Sequence, residues 1–167
     1  ILDGALWLLD GVDRPGMHAA LGALTALCYA LEPLLPCLWA MYCDLRVNGN
    51  EAGLRRRLPL YAGPLILNLA GLAVNAVRPF LFAIDEANVY HRMPLFILFA
   101  AMQLAYLLWA FLLVLGRYRR SVSPLDRRDC RYLMFFPLPP LMATVLQIIF
   151  YGTLLIWPSI VISIVIV

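Results

Sequence analysis

The chain has 167 residues, is 63% hydrophobic and only 14% charged, and carries 13 basic against 10 acidic residues. A water-soluble domain is nearer a quarter charged, and a fold of this length in water could not hide so much apolar surface; the composition excludes an ordinary soluble enzyme and makes the lipid bilayer the expected partner. The net charge of +3 is small and comes from two loops, so no nucleic-acid partner is expected.

Taken in chain order, the first apolar run covers about residues 1–9 and ends at the turn Asp10-Gly11-Val12-Asp13-Arg14-Pro15-Gly16. The second covers about 17–45, with Pro33 and Pro36 inside it. Each proline removes a backbone donor and crowds the preceding turn, so a mid-span kink is expected. Gly22, Ala26 and Ala30 repeat every four residues in this span, a spacing that lets helices approach closely. Residues 46–57 read as a first polar loop turning at Asn48-Gly49-Asn50.

The third span covers about 58–78 and ends where Arg78 precedes Pro79. Phe80–Ile84 and Val89–Arg92 then flank Asp85-Glu86-Ala87-Asn88, which suggests a β-hairpin or an irregular loop. The fourth span covers about 93–116, and a second polar loop follows at 117–131. The fifth covers about 132–155, with Pro137, Pro139 and Pro140 near its start. Trp157-Pro158 marks a turn before the last run, 159–167. The first and last runs each reach roughly 14 Å, about half of a hydrocarbon core, so both ends read as cut.

Every basic residue is arginine, and ten of the thirteen lie in the two polar loops: Arg46 and Arg55–Arg57 in one, and Arg117, Arg119, Arg120, Arg127, Arg128 and Arg131 in the other. Short loops rich in positive charge stay on the cytoplasmic side. This places the hairpin region, His18, Trp7 and Trp157 outside and directs the C-terminus to the cytoplasm. Anionic headgroups are the expected partner of the loop arginines. The sequence therefore predicts an all-α integral membrane protein, a multi-helix transmembrane bundle with a short outward β-hairpin, forming one domain over 1–167.

Polar residues within the spans are the candidate functional positions. Glu32, directly before Pro33, either lines a ligand or proton site or caps backbone freed by the proline. Asn68, Gly71 and Asn75 share one helix face, Gln103 lies with Tyr106, and Thr144, Gln147 and Tyr151 share another face. Each set is open to two readings, contact with a neighbouring helix or contact with a ligand. Convergence of these faces on Glu32 would line a partly polar pocket opening outward. Asp85, His91 and Arg92 are candidate ligand contacts in the hairpin, where Arg92 can also pair with Asp85 or Glu86. His18 and His91 lie near carboxylates without metal-ligand spacing, and no metal or cofactor is expected. Cys28, Cys37, Cys43 and Cys130 read as buried free thiols. Nucleotide-binding and hydrolase motifs are missing, so these residues are not expected to form an enzyme.

Four stretches in order carry a resemblance: Pro33–Asp44, Ile84–Arg92, Phe136-Pro137-Leu138-Pro139-Pro140, and Leu146-Gln147 through Phe150-Tyr151-Gly152 to Trp157-Pro158. Together they resemble the N-terminal seven-helix membrane sensor of bacterial GGDEF-type diguanylate cyclases, and seven-helix histidine kinase sensors are similar. The resemblance covers nearly the whole chain and departs from the family around Glu32, Cys37 and Cys43. It implies seven helices with the N-terminus outside, a bacterial inner-membrane location, and this chain supplying part of helix two through part of helix seven. It further implies an unidentified small-molecule or extracellular ligand, a cytoplasmic output domain that makes cyclic di-GMP, and a homodimer. A transporter or channel using Glu32, or a structural anchor, are the competing expectations.

Overall fold

The computed structural model describes residues 6, 8–12, 14–149 and 161. Most of the run 1–9, Trp7, Asp13, the end of the span 132–155, Trp157-Pro158 and most of 159–167 lie outside the described residues. The described chain is mostly helical, in the order α1 (Met17–Leu31), α2 (Leu34–Asn48), α3 (Glu51–Asn75), β1 (Phe82–Ile84), β2 (Tyr90–Arg92), α4 (Phe96–Arg120), α5 (Pro124–Phe135) and α6 (Leu138–Ile149).

Three helical runs are long and apolar enough to cross a bilayer: Met17–Asn48, Glu51–Asn75 and Phe96–Arg120. The first is the kinked span, broken between α1 and α2 at Glu32-Pro33. Both residues keep right-handed helical dihedrals, so the chain bends without leaving the helical path. The outer faces of these helices are apolar: Leu67 is 74% exposed and Ile97 66%. Water-soluble monomers do not present apolar surface on this scale.

Several boundaries differ from the sequence expectation, each for a local reason. The loop at 46–57 contracts to Gly49 and Asn50. Gly49 adopts φ 60° and its N–H bonds the Leu45 carbonyl, which closes α2 in the left-handed manner that glycine permits. Asn50 then opens α3, its Oδ1 accepting from the Gly53 N–H at 3.1 Å. Arg55–Arg57 consequently stand on the first turns of a helix. The loop at 117–131 contracts in the same way. Here α4 continues to Arg120, and Pro124 starts α5 at the first helical position, where its missing N–H costs nothing. The span expected at 132–155 is accordingly split at Phe136-Pro137 between α5 and α6.

The hairpin forms where expected, in the register Phe82↔Arg92, Ala83↔His91 and Ile84↔Tyr90. Gly22 of α1 lies beneath it, and Ala26 packs against the core that the hairpin shares with α4. A Cβ at Gly22 would meet Ile84 Cδ1 at 3.6 Å, and Ala26 packs beside Tyr29, Leu81, Phe82 and Phe99. These four buried residues form the core at the hairpin end. A second core, at the arginine-rich end, joins Cys37, Ala40 and Cys43 of α2 to Tyr61, Tyr106, Ala110, Val114 and Cys130. Ala40 and Ala110 are fully buried, and small residues of this kind allow α2 and α4 to approach closely. Trp39 stacks on Phe136 with ring centroids 4.3 Å apart, docking the α5–α6 junction against α2.

Asn75, at the end of α3, roots the hairpin. Its Oδ1 accepts from the Phe80 and Leu81 N–H groups, each at 2.8 Å, and its Nδ2 donates to the Phe82 carbonyl at 3.1 Å. Replacing it with leucine strands two backbone donors in an apolar surrounding, at a cost of about 2 kcal/mol. Asn75→Leu in detergent or nanodiscs should raise hydrogen exchange across residues 80–92 by roughly 30-fold, with α2 and α4 unchanged. Unaltered protection of the hairpin would remove Asn75 from this role.

Candidate functional site

Pro33 determines the chemistry at the hairpin end. In an uninterrupted helix the Tyr29 carbonyl would accept from the N–H four residues on, and that residue is Pro33, which has none. The Asn68 Nδ2 of α3 donates to this carbonyl instead, at 2.8 Å. Asn68 therefore joins α1 to α3 at the break itself, and its amide donor is committed there.

The Tyr29 ring continues from that point into an aromatic cluster. It lies 4.5 Å from Phe99, 5.1 Å from Phe82 and 6.1 Å from Phe96, in tilted or edge-on arrangements. Such pairs contribute about 0.5–1.5 kcal/mol each beyond their burial. The Tyr29 hydroxyl meets the Tyr90 hydroxyl at 2.6 Å. Burial pushes the Tyr90 hydroxyl above its ordinary value; the Tyr29 bond and the Arg92 charge pull it down, while the Glu32 charge adds to the rise. Glu32 and Arg92 thus both act electrostatically on one tyrosine pair. Glu32 sits on the surface at the break with its N–H on the Cys28 carbonyl at 2.9 Å. Arg92 lies over the Phe96 ring at 4.8 Å, and neither residue is without a partner.

The loop before α1 is tied to the hairpin turn. The Tyr90 N–H donates to Asp10 Oδ1 at 2.8 Å, and the Gly11 N–H to the Asn88 carbonyl at 2.9 Å. Asn88 is buried and left-handed at φ 58°. Its Nδ2 donates to the Val12 carbonyl at 3.1 Å, so its Oδ1 accepts and the His18 Nδ1 at 3.2 Å carries the proton. Asp85 shapes the turn: Oδ1 accepts from the Ala87 and Val89 N–H groups at 2.9 and 2.8 Å, and Oδ2 pairs with His91 Nε2 at 2.8 Å. His91, rather than Arg92, is the cross-hairpin partner of Asp85. Among the described residues no cluster of three His, Cys, Asp or Glu side chains could hold a metal ion.

The arginine-rich end holds a second polar centre that the sequence did not single out. Asp44 on α2 is 1% exposed and accepts four hydrogen bonds. Asn48 Nδ2 and Arg57 Nη2 donate to Oδ1; Arg57 Nε and the Tyr61 hydroxyl donate to Oδ2, each at 2.9 Å. The Tyr61 hydroxyl in turn accepts from Trp109 Nε1 at 3.1 Å. The Tyr61 carbonyl accepts from the Tyr106 hydroxyl and, at 3.7 Å, from Cys37 Sγ. One buried carboxylate with its acceptor sites filled thus gathers α2, α3 and α4. Only the i, i+4 spacing of Asp44 and Asn48 was visible in the sequence; Arg57 and Tyr61 arrive from the next helix.

The residues expected to converge are consequently divided. Glu32, Arg92 and Asn68 gather around Tyr29 and Tyr90. Asn75 holds the hairpin root, and Asp85 with His91 holds its tip. Tyr106 belongs to the Asp44 network at the other end, and Gln103 is half-buried on α4 between the two centres. The side chain of Gln147, like Tyr151 and the side chain of Thr144, lies outside the described residues. All four cysteines are buried free thiols.

Asp44 and Arg57 should behave as a coupled pair. Arg57→Met alone leaves a buried carboxylate without its cation and costs about 3 kcal/mol, whereas Asp44→Leu alone costs less, because the Arg57 side chain is 36% exposed and its guanidinium can turn to solvent. The double variant Asp44→Leu/Arg57→Met removes both charges and should regain most of the loss. Thermal melting of the four proteins in one detergent measures this, and strictly additive losses would count against the pairing.

The hairpin should respond to acid. The His91 hydrogen bond, followed by those from Val89 and Ala87, holds the Asp85 carboxyl below its ordinary value. A carboxyl depressed in the folded state stabilises above its unfolded pKa of about 3.9 and loses that contribution as pH falls through the folded value. Amide protection at Ala87 and Val89 should therefore hold from pH 7 to about pH 4 and decline below it. Asp85→Asn should flatten this decline.

No protein-family model, curated protein or solved structure matches this chain.

Proposed function

We propose that the chain is a multi-pass membrane sensor whose hairpin receives the signal and whose α1–α2 run carries it to the arginine-rich end. The observation that carries this reading is the Tyr29–Tyr90 hydroxyl pair at 2.6 Å. It fastens the hairpin to the residue whose carbonyl Pro33 leaves open, on a helical run that ends four residues beyond Asp44. A stimulus that displaces the hairpin would alter the bend at Pro33 and load the Asp44 network at the far end. Broken helices held by a few side-chain bonds are suited to two discrete packings.

By the arginine distribution, the hairpin faces outward and the arginine-rich end faces the cytoplasm of a bacterial cell. The order of the four resembling motifs points to a diguanylate cyclase as the output, working as a homodimer. The ligand would be a small molecule reaching Tyr90, Arg92 and Glu32 from the outer side.

The test uses the full-length protein in cells. Tyr90→Phe, which removes the hydroxyl pair and keeps the ring, should shift basal cyclic di-GMP output by about fivefold, corresponding to a coupling of about 1 kcal/mol. Deletion of residues 80–92 should change output without preventing insertion. Output unaffected by both changes would overturn the sensor reading. Proton or cation flux in liposomes that is lost in Glu32→Gln would replace it with a transporter.

A further inference from the structure

The short helix α5 is apolar on two sides. Cys130, Leu133 and Met134 pack inward on the second core. Leu125, Tyr132 and Phe135, spaced i, i+7 and i+10, form an outward stripe, with Leu125 64% exposed. Arg128 lies along the same stripe, and Val122 just before the helix is 92% exposed. A short helix that turns aromatic and aliphatic side chains outward among arginines matches the pattern of one lying in the membrane interface.

Between the end of α4 and the start of α5 is an open cleft of about 700 Å3. Arg117, Arg120, Ser121 and Ser123 line its polar side, and Leu112 and Val122 its apolar side. Asp126 is the carboxylate facing this cleft. Arg117 neutralises it through Nε at 3.0 Å and Nη2 at 3.3 Å, and its Nη1 also holds the Val47 carbonyl at the end of α2. This pairing holds the Asp126 carboxyl below its ordinary value. The Arg120 side chain is exposed and makes no hydrogen bond or ion pair with any other described residue, so its charge stays available to the cleft. Ser123 precedes α5 without a side-chain cap, and the positive end of the helix dipole adds to the same field. A smaller adjoining recess brings in Arg46 and Asp129, whose charges oppose one another.

We propose that this cleft binds the phosphate of an anionic phospholipid, with Arg120 on the phosphate and an acyl chain along Leu112 and Val122. Charge complementarity and the apolar wall select the lipid: a soluble phosphate would use the arginine and make no use of Leu112 and Val122. The inference rests on the membrane placement proposed above.

The experiment reconstitutes the chain in nanodiscs of phosphatidylcholine alone or with phosphatidylglycerol, and native mass spectrometry counts the lipids retained. Phosphatidylglycerol should be retained in preference. Arg120→Gln should weaken its retention about fivefold, while Arg55→Gln, an equal charge removed from α3, should leave it unchanged. Melting in phosphatidylcholine should be the same for all three proteins. Equal weakening by both substitutions would reduce the site to diffuse attraction and overturn the proposal. Displacement of the lipid by millimolar inorganic phosphate would overturn it in favour of a soluble ligand. Insertion without lipid preference would defeat this inference alone, whereas failure to insert would defeat it together with the membrane reading.

Discussion

Pro33 has no N–H to give to the Tyr29 carbonyl, and the hairpin end of the protein is arranged around that missing bond. Inside a bilayer an unsatisfied carbonyl costs several kcal/mol, because no water replaces the lost donor. Asn68 supplies the donor from α3, which fixes the distance between the two helices at the break. With its backbone held there, Tyr29 can present its ring to Phe82, Phe96 and Phe99 and its hydroxyl to Tyr90. A local chemical defect in one helix thereby becomes the attachment point for a hairpin that begins about 50 residues later in the chain.

The two ends of the molecule meet the same demand by different means. At the hairpin end, polar groups are satisfied singly, by Asn68, Asn75 and Asn88, each of which bonds backbone groups. At the arginine-rich end, one carboxylate collects several donors, and the charge of Asp44 is balanced by Arg57. A fully bonded pair of this kind is geometrically demanding, because loss of the cation leaves a buried carboxylate uncompensated.

The arginines have more than one use. Arg57 completes the Asp44 site, and Arg117 fastens α2, α4 and α5 through Val47 and Asp126. Arg127 bonds the Ser121 carbonyl and lies 5.9 Å from the Tyr118 ring centre. Arg46, Arg55, Arg56, Arg119 and Arg120 remain on the surface. A count of charge along the chain treats these alike, and only the folded arrangement separates guanidinium groups that bond other residues from those on the surface.

Much of the architecture was legible in the sequence because its signals are local. Apolar runs longer than a bilayer is thick, prolines at fixed positions and a turn flanked by short apolar segments located the long helices, the Pro33 break and the hairpin. Helix ends were misplaced where caps decided them: Gly49, Asn50 and Pro124 shorten both arginine loops, which composition alone extends. The candidate site was legible only in part. Asn68 and Asn75 stand out as amides in apolar helices, and Glu32 as a carboxylate beside a proline, since burying such groups is costly wherever they point. Their partners were not legible, because Tyr29 with Tyr90, Asp44 with Arg57, and His18 with Asn88 are joined across distances that no periodicity records. The sequence by itself determined which segments are helical and which polar groups need partners; the tertiary structure alone decided which partner each one found, because satisfaction of a buried polar group depends on the few atoms within hydrogen-bond reach.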